Sequence, residues 1–399
     1  MAEWPQGSQR LPCLLHGPAL HLLWLVMVFV TLCRSAETVL TELPPALDWA
    51  YNRTDVHKRV NAYAEQFRLQ NMRGNLAEET RVRQTAFERL KSPVEGESQP
   101  RDLVVVAGGD DFDPTKWTSL GGARTWDLIW IYYGNAATIA CAECSKVYRG
   151  RGPKWRLAWR LTLLPEWETM RSTYKAIAFL DDDLIMADVG VLNTAFAAVT
   201  AFQLLLAQPS VCRAHWSFTP YETLRQRDES ILRYTNLVEI MAPIFDMDFF
   251  DELVRLTLYN AHYGWGLDWI WPDLLGYPSD KIAVIDEVCL FHPESARFKR
   301  NSLYKVVAPY TAKEEEARRF SEWRFDPNVR ASKGFSQWSC DVVGIVKKGK
   351  ATPTLIAAKA VVNVVAWRLL PFYGAGLAIT FMIFWLRKPR VRVRKLTSK

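Results

Sequence analysis

The stretch "YKAIAFLDDDL" (residues 174–184) decides how the fold is read. Residues 176–180 are apolar at every position, without the alternation of a half-exposed strand. A strand of that kind is covered on both faces, as in a parallel sheet. Three acids follow at its tip. Like charges so close are costly unless something positive sits among them, a metal ion or a basic side chain, or unless water screens them.

Upstream lie two more strand-like runs stopped by glycine, DLVVVAGG (102–109) and WDLIWIYYG (126–134), then WRLAWRLTLLPEW (155–167) with helical apolar spacing. Strand, strand, helix, strand predicts an α/β fold with a mainly parallel central sheet. Ligands in such sheets bind beyond the carboxyl ends of the strands. Gly108–Asp111 and Asp181–Asp183 both fall there. Residues 188–208 read as an apolar helix and 246–260 as a strong one, with no internal repeat.

In an extended segment alternate side chains share a face, so Asp181 and Asp183 form an outer pair and Asp182 points away. Two such carboxylates, about 7 Å apart, can clasp one hard divalent ion together with the diphosphate of a substrate. The competing reading is a solvated acidic turn or a set of helix caps. In HYGWGLDWIW (262–271), Asp268 lies among Trp265, Trp269 and Trp271. Apolar surroundings raise a carboxyl pKa toward the range of a general base. Rings beside a carboxylate also suit a sugar, so Trp265 and Trp269 are candidate substrate-stacking residues. The alternative is that the tryptophans are core and Asp268 caps a helix. KIAVIDEVCLFHP (281–293) reads as a strand ending near His292, and a lone His there is more often structural.

Of the 399 residues, Lys and Arg number 50 and Asp and Glu 43. The excess is not a nucleic-acid signature, because the tail RKPRVRVRKLTSK (387–399) carries all of it and residues 1–386 are formally neutral. That tail follows LLPFYGAGLAITFMIFWL (369–386), an uncharged run of eighteen residues, which predicts a transmembrane helix of about 27 Å. ALHLLWLVMVFVTLC (19–33) predicts a cleaved signal or an uncleaved signal anchor. Either way the body faces a lumen and the basic tail the cytosol. The sequon at Asn52 is compatible with glycosylation on that side. Five of the seven cysteines would meet an oxidising lumen, so at least one lacks an intrachain partner. Cys141 and Cys144 read as a local disulfide or two thiols rather than a zinc site.

The chain therefore divides into a signal or anchor (1–35), a stem helix and linker (36–100), a globular unit (101–345), a juxtamembrane segment (346–368), the span (369–386) and the tail (387–399).

Four fragments, "PKWRLAWRLTLLPEW…YKAIAFLDDDL" (153–184), "VEIMAPIF" (238–245), "YGWGLDW" (263–269) and "KIAVIDEVCLFHP" (281–293), share a known order. Over about residues 100–300 the chain resembles the domain-of-unknown-function family 707, regarded as glycosyltransferases of plants and bacteria. The resemblance implies a Rossmann-like glycosyltransferase-A fold joining a nucleotide-binding half to an acceptor-binding half. It implies Asp181 and Asp183 as the metal pair, with His292 completing a manganese site. Lys154 and Asp182 would join the donor-binding set, Lys154 at a phosphate. Asp268 would be the catalytic base, with Glu239 in reserve. The first strand's Gly-Gly-Asp-Asp departs from plant members, as do the stem, span and tail. The expectation is a membrane-anchored enzyme of the endoplasmic reticulum or Golgi lumen. It would take a nucleotide-sugar donor, a glycan or protein acceptor and a divalent metal, and no nucleic acid. The alternatives are a silent carbohydrate-binding or scaffold protein of the same fold and a metal-dependent phosphohydrolase.

Overall fold

The computed structural model describes residues 40–45, 53–71, 76–91, 102–119, 121–259, 261–293, 311–335 and 337–348. The expected signal segment, Asn52, the linker at 92–100, the span at 369–386 and the tail lie outside them. Among the described residues no helix is long and apolar enough to cross a membrane.

The body is mixed α/β around one ten-stranded sheet. Its strands are β1 (Thr41–Glu42), β2 (Asp102–Gly108), β3 (Trp126–Tyr132), β4 (Lys146–Arg149), β5 (Ala176–Asp181), β6 (Leu206–Val211), β7 (Ser230–Thr235), β8 (Ile244–Asp246), β9 (Ile282–Leu290) and β10 (Val342–Lys347). The order across the sheet is β1-β4-β3-β2-β5-β8-β6-β9-β7-β10. β1 to β5 are mutually parallel. β8 runs against both β5 and β6, and β7 runs against β9 and β10. β6 and β9 are parallel partners. The sheet is thus mainly parallel, as the sequence predicts, with two reversed strands.

The apolar runs behave as their composition requires. Leu103 to Val106 of β2 and Ala176 to Leu180 of β5 are buried on both faces. Helices α1 (Arg53–Asn71), α2 (Leu76–Leu90), α3 (Lys154–Leu161), α4 (Trp167–Thr173), α5 (Gly190–Phe202), α6 (Leu267–Leu274), α7 (Ala312–Glu322) and α8 (Pro327–Ser332) surround the sheet. α5 packs on β6 and β9, and α3 touches β2.

Three expectations change in detail. The stem region forms two helices, and both join the core. α1 buries Val56, Val60 and Ala64 and packs on the 250–257 segment and α6, while α2 buries Phe87 and packs on α5. The apolar run 188–208 divides into α5 and the start of β6, because Gln203 takes a left-handed φ of 54° that ends the helix. The helix at 246–260 is helical from Met247 to Thr257 but opens into a π-turn over Phe250–Val254.

Cys141 pairs with Cys144, and Cys212 pairs with Cys289. The second bond ties the end of β6 to β9 just before His292. Cys340 is a buried free thiol, the odd cysteine that the count requires.

Candidate functional site

β5 ends at Asp181, beside Ala107 of β2, and so delivers the acidic triplet to the carboxyl edge of the sheet. The chain then turns back. Ile185 and Phe291 exchange backbone hydrogen bonds of 2.9 Å each way, which clips the segment after the acids onto the end of β9. That clip brings His292 to Asp183, with 3.9 Å between Nε2 and Oδ1. His292 is buried, and its Nδ1 lies 3.1 Å from the Phe218 carbonyl. A carbonyl only accepts, so Nδ1 carries a proton toward it, and Nε2 is the nitrogen turned toward Asp183. A metal-binding histidine is ordinarily held this way.

Asp181, Asp183 and His292 place one ligand atom each within 4.8 Å of one another. Two carboxylate oxygens and an imidazole nitrogen form a donor set that suits Mn2+ and similar divalent ions, and three protein ligands leave positions for substrate oxygens. The residues fit a divalent metal. It is the single such group found among the described residues.

A basic side chain also stands among the acids. Lys154, the first residue of α3, donates to Asp181 Oδ1 at 2.9 Å and to the carbonyls of Ile240 and Met241 at 2.8 and 3.1 Å. The Met241 carbonyl in turn accepts from the Asp181 amide at 2.9 Å. Lys154 therefore fixes the V-E-I-M-A-P segment (238–243) against the tip of β5. Its ammonium faces a metal-pair carboxylate, a contact that the sequence reading did not include. β5 ends at Asp181, so Asp182 lies in the turn that follows, where it accepts from Tyr133 Oη at 2.8 Å beyond the end of β3. Burial, with Asp183 and Asp181 adjacent, pushes its carboxyl up to about 6.

Glu239 is half-buried. Its amide donates to Gln208 Oε1 at 2.6 Å, and its carboxylate accepts from Thr219 at 3.4 Å. Thr219 follows Phe218, the residue that holds His292, so Glu239 is two contacts from the metal group. Tyr221 lies two residues after Thr219, where burial raises its hydroxyl pKa and both Asp268 and Glu239 act on it electrostatically.

Asp268 lies in the first turn of α6 and is buried. A helix start favours a carboxylate, but here desolvation wins. Burial, helped by Glu316, pushes Asp268 up to about 7. The loop before it is tightly fitted. Gly264 has φ +82°, and a Cβ there would come within 2.0 Å of Trp155 Cδ1. Gly266 has φ +90° and lies over Glu316 and Phe320 of α7. Gly264, just before the W-G-L-D residues 265–268, thus abuts Trp155, some 110 residues away in sequence.

The two tryptophans of the predicted sugar site separate. Trp265 is 45% exposed. Trp269 is core, with the Arg330 guanidinium 4.5 Å from its ring centroid and Tyr221, Phe325 and Trp338 around it. It has no open face for a sugar.

Glu315 is a further site residue. Its buried carboxylate accepts from the amides of His262, Tyr263 and Gly264 at 2.9, 2.7 and 3.1 Å, and from Arg319 Nε at 3.0 Å. In sequence it is one acid in KEEEARR, which reads as a solvated helix face. No local signal marks it.

Fold and site together define an α/β protein with a candidate metal centre at the carboxyl edge of its sheet. No family model matches the sequence, and no curated protein matches it. Among solved structures the chain is similar to GalNAc-T7, solved with UDP, GalNAc and Mn2+. That likeness has 11% identity over 63% of this chain and a TM-score of 0.37, and the chain spans 56% of GalNAc-T7. It is also similar to the mannosyltransferase PcManGT from Pyrobaculum calidifontis in complex with GDP-Man and Mn2+. There the identity is 12% over 82% of this chain and 92% of that one, with a TM-score of 0.30. At such scores the likeness carries no weight beside the strand order and the site geometry.

Proposed function

We propose that the chain is a metal-dependent glycosyltransferase of the glycosyltransferase-A type, related to the domain-of-unknown-function family 707. It moves a sugar from a nucleoside-diphosphate donor to a hydroxyl acceptor on a glycan or protein. One observation carries the reading: Asp181, Asp183 and His292 converge at the carboxyl edge of a mainly parallel sheet, their ligand atoms within 4.8 Å. These residues would hold the ion, manganese by preference, and a bound divalent ion supplies positive charge to the departing diphosphate.

The chain's own residues would do the rest. Lys154 sets the Asp181 carboxylate and the 238–243 segment. His292 keeps Nε2 available because Phe218 fixes its other nitrogen. Asp268, raised to about 7, is balanced for proton transfer near neutral pH. We assign it to take the acceptor hydroxyl proton in an inverting transfer, with Glu239 as the alternative. The apolar run at 369–386 would anchor the enzyme, its body in the endoplasmic reticulum or Golgi lumen. The two disulfides accord with that compartment.

Asp183→Ala tests the assignment. Metal-stimulated release of nucleoside diphosphate from a nucleotide sugar should fall at least about a hundredfold, and an unchanged rate would sink it. A second reading, a silent binding protein of the same fold, draws on the Lys154 ammonium 2.9 Å from Asp181, a cation already at the metal pair. It predicts nucleotide-sugar binding without turnover.

A further inference from the structure

An exposed ring rests on a rigid aromatic base that includes Trp269, the residue after Asp268. Trp338 is 52% exposed, yet three rings hold it. Trp269 lies edge-on at 5.5 Å, with Phe320 at 5.8 Å and Phe325 at 6.1 Å between centroids. Trp269 and Phe325 are themselves buried. Leaving half an indole in water forgoes the burial that such a ring normally supplies. A flexible side chain could fold down to recover it, but one braced on three sides stays presented.

Acid chemistry lies alongside. Glu316 is one helical turn from Phe320 on α7, so both side chains occupy one face. Gly266 covers that face, its Cβ position 3.1 Å from Phe320 Cε1 and 3.6 Å from Glu316 Cγ. The next residue back is Trp265, also exposed. Glu316 acts electrostatically on Asp268. An exposed aromatic plane, a half-buried carboxylate and a second exposed indole are thus linked to Asp268 through Trp269, α7 and Gly266.

We propose that Trp338 and Glu316 form the acceptor subsite, and that its ligand is a pyranose. The C–H face of the sugar would lie on the indole, and its hydroxyls would donate to the Glu316 carboxylate. A nucleotide fits less well, since its phosphates would meet Glu316 and the buried Asp268. The subsite takes its name from the transferase reading, but its binding chemistry is separable from it. Trp338 assumes the role that the sequence pattern gives to Trp269.

The full chain in a detergent without a sugar headgroup, titrated with lactose, cellobiose and chitobiose, tests this by saturation-transfer NMR. At least one disaccharide should receive saturation at its ring C–H protons. Trp338→Ala should weaken that affinity about tenfold, which is about 1.4 kcal/mol of ring contact, and Trp338→Phe should keep most of it. Glu316→Gln should cost about threefold and stands in if Trp338→Ala loses the fold. Manganese binding should be unchanged in each. The inference is overturned if none of the sugars binds, or if both Trp338→Ala and Glu316→Gln bind like the parent. Sugar binding that depends on Trp338 in a chain that takes up no manganese would uphold the subsite and reject the transferase.

Discussion

At the scale of single residues, the acidic triplet has separate fates for its members. Asp181 meets an ammonium, Asp183 meets a histidine, and Asp182 meets a tyrosine hydroxyl. Spacing makes Asp181 and Asp183 legible as a pair, but β5 ends at Asp181 and a turn, rather than strand alternation, separates Asp182 from them. The histidine was legible only through the family resemblance, because nothing local distinguishes His292 from a structural residue. The aromatic neighbours of Asp268 in sequence predict a raised pKa, and burial raises it to about 7. This has a consequence for stability. Between the ordinary carboxylate range and pH 7, folded Asp268 holds a proton that the unfolded chain has released. Stability therefore falls as pH rises through that window. Asp268→Asn removes the titration and should gain about 2–4 kcal/mol over the parent at pH 8, with roughly no gain at pH 4. Urea midpoints at unchanged slope measure this. A gain that is the same at both pH values would remove the burial argument.

At the scale of elements, β2, β3 and β5 were legible because strands covered on both faces have no polar side to interrupt them. The break between α5 and β6 was not, since helix and strand are equally apolar there and one left-handed residue divides them. Exposure was the other blind spot. Trp265, Trp269 and Trp338 are the same residue type, and only the packing of α7 and α8 makes one core and leaves two open. The α7 contribution is the least visible in sequence. Glu315 closes the 262–264 loop through three amides and an arginine, and so sets where α6 begins and where Asp268 sits. Glu315→Ala leaves those amides unsatisfied and strands the buried Arg319. It should cost about 3–5 kcal/mol and speed hydrogen exchange at 262–264 more than in the β-sheet. If exchange there matches the parent, the loop is held by other contacts.

For the molecule as a whole, the fragments 153–184, 238–245 and 281–293 meet at the tip of β5, and the 263–269 loop packs on Trp155. Parallel order brings the tips of β5 and β9 to the same side, and the Ile185–Phe291 clip joins them. The Cys212–Cys289 bond secures β9 just before the histidine. α3 supplies Lys154 to the same edge. Lys154 makes the electrostatics a contest, because a divalent ion must share Asp181 with an ammonium already 2.9 Å away. The metal wins only if His292, Asp183 and a diphosphate add enough, so binding should be tighter with nucleoside diphosphate present. Electron paramagnetic resonance of Mn2+ titrated into the full chain, with and without UDP or GDP, decides this. One ion should bind per chain, at least about tenfold tighter with a nucleotide, and binding should be lost in both Asp183→Ala and His292→Ala. Free manganese at every protein concentration, or binding untouched by either substitution, would contradict this.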